Sequence, residues 1–171
     1  MGFWNFLGGK KEKSVDYKKP VDFLDYTKTL VMLAKGIAVS SYTTIVNKLP
    51  VIKSIAPADN VNWWDLIMTV AGVGTAILTS NIGAEKRNYI TDIVSQELKQ
   101  LHEHGHGALL DFNNFVVRNV NQGIELEVAI GLWVIWNLKG GQPTYEEVQP
   151  AGVIGKFLLS SFGGYFNSTS H

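Results

Sequence analysis

The chain contains no cysteine, so neither a disulfide framework nor a zinc–thiolate site is available to it. Arginine is nearly absent as well: Arg87 and Arg118 are the only two among fifteen basic residues, which are balanced by fifteen acidic ones. That balance disfavours a nucleic-acid binder, whose electrostatic footprint needs an excess of positive charge. No asparagine–glycine or aspartate–glycine pair sits between alternating apolar runs, which removes the strongest short-range hairpin signal. A third glycine and a preceding strand are missing around Gly72 and Gly74, no phosphate-binding loop occurs, and no G-x-S-x-G nucleophile elbow is present. The dinucleotide fingerprint and the serine-hydrolase elbow are thereby excluded. A di-iron carboxylate bundle needs a Glu-x-x-His on each of two helices, and Glu103 to His106 is the single such spacing in the chain.

What is present is a rather apolar chain of 171 residues, 46% hydrophobic and 18% charged. One domain of this length buries enough surface to fold without staples. Its neutral total hides an asymmetry. Residues 1–19 hold Lys10, Lys11, Lys13, Lys18 and Lys19 against Glu12 and Asp16, making this arm +3 and the rest −3. Phe3, Trp4, Phe6 and Leu7 at its tip precede the lysines, an order that suits either an interfacial lipid anchor or aromatics packed on the body of the domain. Charge following the apolar stretch is the reverse of a signal peptide.

Periodicity predicts helices throughout. Pro20 suits a first helical turn, and Phe23/Leu24, Leu30/Val31, Ile37/Ala38 and Thr44/Ile45 recur every seven residues before Pro50 ends the stripe. Tyr89, Ile90, Ile93, Val94, Leu98 and Leu101 give a surface helix over 85–102, and Leu109 to Val120 another. Ile124 to Leu138 closes on Lys139, Gly140 and Gly141, the usual C-terminal chemistry. Thr144 and Glu147 form a capping-box pattern ahead of a last helix from Ala151 to Gly164. The fold expected is all-α: a single-domain bundle of about six helices over 20–164, with the arm before it and a polar tail, 165–171, after it.

At its centre the sequence predicts an apolar helix over 66–84, nineteen residues without charge or histidine, with Trp63 and Trp64 before it and Lys86 and Arg87 after it. Its length is close to that of a membrane span. Three threonines, a serine and Asn81 suit the central helix of a bundle instead. Trp63, Trp64, Trp133 and Trp136 are expected as core anchors, the last two sharing a helix face.

One chemical signal stands out. His102, Glu103, His104, Gly105 and His106 satisfy H-E-x-x-H, a pattern that resembles a zincin site over these few residues. The resemblance implies zinc as cofactor, His102 and His106 as ligands one helical turn apart, Glu103 as general base, and Glu125 (or Glu127) as third ligand. The alternative reading is structural: a helix ends near His102, its imidazoles favour the negative end of the dipole, and Gly105 supplies the turn. Without an assembled catalytic set, the functional expectation is a non-enzymatic association or structural module, either a homo-oligomer or a subunit bound to a protein partner, located in the cytoplasm. Membrane attachment through the arm or helix 66–84 is the first alternative, and a zinc-dependent hydrolase at 102–106 the second.

Overall fold

A computed structural model of the chain describes residues 20–56 and 61–169; the basic arm of residues 1–19 lies outside them. The described residues form seven α-helices and no strand, an all-α bundle. In chain order these are α1 (Pro20–Lys48), α2 (Pro50–Ile55), α3 (Val61–Leu78), α4 (Ala84–Leu101), α5 (Gly105–Asn121), α6 (Leu126–Lys139) and α7 (Val148–Phe162). Short 3-10 turns at Tyr145–Glu147 and Tyr165–Thr169 lead into α7 and follow it.

α3 is the axis of the bundle. Every residue from 66 to 77 is buried, with α1, α4, α5, α6 and α7 all packed on it. The cover that such an apolar helix requires therefore comes from its own chain. α3 is shorter than the uncharged run predicts, because it stops at Leu78. The polar residues inside that run end it. The Ser80 hydroxyl turns back to the Ile77 carbonyl, and Arg87 donates to the Ser80 and Ile82 carbonyls. Thr79 Oγ1 receives the Gly164 amide, and the Asn81 amide donates to Asn167 Oδ1. Serine and threonine compete for backbone partners in this way, and here the competition wins over apolar composition.

α1 lays its seven-residue stripe on α3, burying Leu30, Val31, Ala34, Ala38, Ile45 and Val46. Trp64 Nε1 donates to the Ala38 carbonyl at 3.1 Å, and the Tyr42 hydroxyl donates to that of Ala56 at 2.9 Å, fixing the α1–α2 corner against α3. Pro50 both ends α1 and opens α2, where its missing N–H is no loss.

α6 and α7 approach closest of all. A Cβ placed on Gly131 would run into the Ala151 carbonyl, and one on Gly155 into that of Glu127. Two glycines facing the partner's backbone let the helices touch main chain to main chain, which offsets their low helix propensity. Packing continues past residue 164. Phe166 is fully buried, and Tyr165 stacks on Tyr26 with ring centres 4.6 Å apart.

Candidate association surface

The zincin-like pentapeptide does not lie on one helix. His102 is the C-cap residue of α4, in extended backbone at φ −159° and ψ 138°, and Glu103 and His104 form the turn. His106 is the second residue of α5, and Glu125 is the N-cap of α6. His102 Nδ1 accepts the His104 amide at 3.1 Å and its ring sits 6.3 Å from that of Trp63, while Glu103 pairs with His104 at 3.5 Å in full view of solvent. No three His, Asp or Glu side chains among the described residues converge as metal ligands. Gly105 departs from its expected role of supplying the turn that ends α4. It opens α5, buried where a Cβ would strike the Leu98 carbonyl, so its missing side chain serves the α4–α5 approach.

The tryptophans divide. Trp133 is fully buried, edge-on to Phe112 at 5.0 Å, with its Nε1 donating to Asp111 Oδ2 at 2.8 Å. Trp64 is buried too, and Trp63 binds the Asn137 carbonyl. Trp136 is not a core anchor. It is 40% exposed, because a three-residue step along α6 turns it about 60° away from Trp133 and past the edge of the covered face.

Trp136 instead forms part of a groove of about 510 Å³ between the outer face of α5, the C-terminal half of α6 and the segment that joins α6 to α7. Phe115, 6.0 Å from Trp136 between ring centres, and Leu132 make its apolar floor. Tyr145, 93% exposed, and Val148 stand at its edge. Arg118 Cζ lies 5.7 Å from the centre of the Phe115 ring, within reach of its negative face. A second hollow, about 480 Å³, shares Arg118 and Gln122 and adds Val117 and three asparagines from α5.

The joining segment is held rigidly for a loop. Gly140, in the left-handed region at φ +69°, closes α6 by donating its amide to the Trp136 carbonyl. Glu147 then forms the predicted capping box with Thr144. Its carboxylate is 5% exposed, accepts the Thr144 amide at 2.6 Å and takes Lys139 Nζ on both oxygens at 3.0 and 3.1 Å. Burial pushes the Glu147 carboxyl up, but the Thr144 amide and the Lys139 ammonium outweigh it and hold the group below its ordinary range. Gln142, Pro143 and Thr144, one wall of the groove, are thereby pinned to the end of α6.

Comparison with known protein families, characterised proteins and solved structures finds no match to this chain.

Proposed function

We propose that this chain is a non-enzymatic association module whose contact face is the groove formed by α5, α6 and the segment leading to α7. The observation that carries this reading is the clustering of Val117, Trp136, Tyr145 and Val148, between 39% and 93% exposed, around an arginine. Single exposed apolar residues are ordinary, whereas a contiguous set around a depression marks an interaction surface. Tryptophan, tyrosine and arginine are also the residue types that carry most binding energy at protein interfaces. α3, the longest uncharged run, is covered by its own chain and offers no competing face. The separation of His102 and His106 onto two helices adds support for a non-enzymatic role.

The test is recovery of the chain from its own cells under non-denaturing conditions. Wild type carries a partner chain in fixed stoichiometry, Val117→Asp and Tyr145→Asp lose it, and Val39→Asp on α1 keeps it. A complex that survives both the Val117 and the Tyr145 substitution, one in the second hollow and one in the groove, contradicts the assignment of the face. A wild-type chain that sediments as a lone monomer and brings nothing with it contradicts association altogether.

A second reading, membrane attachment with a membrane-associated rather than cytoplasmic location, draws on α1. Leu24–Lys48 is long and apolar enough to cross a bilayer, and Met32 and Val39 on it are 75% and 52% exposed. Crossing would require α1 to abandon Leu30, Val31 and Ala34, which it buries against the bundle. Resistance of the chain to carbonate extraction would favour this reading over the first.

A further inference from the structure

The groove has a chemical asymmetry that selects its partner. Arg118 stands where the groove and the second hollow meet, and among the described residues it is the one charged side chain lining either. The chain's other arginine is structurally committed, since Arg87 donates to two carbonyls beyond the end of α3. Arg118 is not committed in this way. Its contact is with the Phe115 ring, and no described carboxylate pairs with it. A guanidinium set among aromatic side chains, with no acid among the described residues of the surrounding walls, is complementary to an anion that brings apolar surface with it.

The polar lining narrows the class further. Asn119, Gln122 and Gln142 line the groove, and Asn113, Asn114 and Asn121 line the hollow beside it. An amide offers both donors and an acceptor; Asn119 spends one N–H on the Phe115 carbonyl, whereas Gln122 and Gln142 are exposed. A polypeptide backbone presents the same alternation of N–H and C=O. A phosphate would bring about two negative charges to a single base, whereas a carboxylate brings one and matches the planar guanidinium fork with two parallel bonds. A second copy of this chain docking by the same face fits poorly. A two-fold axis through the patch places the same surface on both sides, so two guanidiniums would enter the interface with no acid from either.

Taking the association face as given, we propose that its partner is a protein segment that sets an Asp or Glu side chain on Arg118 and lays the adjacent aromatic or aliphatic side chain between Phe115, Trp136 and Tyr145. The probe is a blocked peptide, acetyl-Gly-Phe-Glu-Leu-Gly-amide, compared with the same peptide carrying Gln in place of Glu. Each is titrated into the full chain while the indole N–H signals of Trp136 and of buried Trp133 are followed by NMR. The Glu peptide shifts Trp136 saturably, leaves Trp133 in place and binds about tenfold tighter than the Gln peptide, the low end of the range for hydrogen bonds to charged groups. Arg118→Gln erases that preference, and Arg118→Lys retains part of it. Equal binding of the two peptides, or no saturable shift of Trp136 with either, overturns the proposal. If that happens while Tyr145→Asp still releases the native partner, the carboxylate is wrong and the face stands. If the native complex ignores Tyr145→Asp, the face falls and the proposal with it.

Discussion

Replacing Glu147 by glutamine probes the support of the groove without touching its lining. The native carboxylate is buried and makes three contacts: two with Lys139 and one with the Thr144 amide. Glutamine keeps an oxygen for the amide and loses the charge that holds Lys139. Orphaning one partner of a fully buried ion pair costs about 3–5 kcal/mol. The Lys139 side chain is 29% exposed, so its ammonium can turn into water, and the loss falls to about 2 kcal/mol, within the range for bonds to charged groups. Alanine also strips the cap and adds about 1 kcal/mol. In urea, with a slope of about 2 kcal/mol per molar for a chain of this size, Glu147→Gln lowers the unfolding midpoint by about 1 M. The pH dependence has a defined sign. A carboxyl held below its ordinary value of 4.5 contributes stability that is fully present above that value and is lost as the pH falls through its folded value. The gap between wild type and Glu147→Gln is therefore constant from neutral pH down to the ordinary carboxylate range and closes in stronger acid. An unchanged midpoint at neutral pH, or a gap undiminished at about pH 2, refutes the reasoning. A Lys139→Met background isolates the pair: there Glu147→Gln costs less than it does in wild type.

Four further outcomes follow from the geometry. Gly155→Ala and Gly131→Ala each destabilise by about 3 kcal/mol or more, read by thermal denaturation, because the new methyl meets a carbonyl of the facing helix. Gly36→Ala, with nothing near its Cβ on exposed α1, stabilises by about 0.5–1 kcal/mol; a loss there would show α1 to be covered. Asp65 has a carboxyl raised chiefly by burial, with Lys35 pulling it back, and one of its oxygens is buried without a donor. The strain of keeping it charged appears as the pH rises through and above its ordinary value of 3.8, so Asp65→Asn gains stability at neutral pH and loses that advantage in acid; urea midpoints across pH check this. Zinc leaves the melting temperature of the chain unchanged, since His102 and His106 belong to different helices. Stoichiometric zinc that raises it, and is lost in His106→Ala, would reinstate the hydrolase reading.

The helical fold was legible because its signals are local. Gly140 behind Lys139 and the Thr144–Glu147 capping box depend on neighbours in sequence and occur where expected, and the α1 stripe buries Leu30, Val31, Ala38 and Ile45 while its Thr44 is exposed. Termination of α3 at Leu78 was not legible, because Thr79 accepts from Gly164 and Asn81 donates to Asn167, far along the chain. Gly105 misled for a similar reason: its requirement is the approach of the Leu98 backbone, a tertiary contact, and the histidine spacing contains no trace of it. The groove has no local signature. α6 is apolar nearly all round, so Trp136 looks like Trp133 until α5 and α7 have taken their places on one side. Arg118 reads as an ordinary base in the last turn of α5, and what distinguishes it, its place beside Phe115 where the two hollows meet, exists only in the fold. Two signals were present in the chain: tryptophan and tyrosine within ten residues of each other, and the scarcity of arginine.

The most direct measurement of the central claim, that the α5–α6 face is where this protein meets its partner, is site-specific photocrosslinking in the cells that make it. A benzophenone side chain is introduced in place of Tyr145 in the groove or, for comparison, in place of Leu33 on the exposed side of α1, both already in solvent. A single defined adduct from position 145, absent from position 33 and suppressed by Val117→Asp, is the result expected. Adducts from position 33 with none from position 145 would contradict it and move the contact surface to α1.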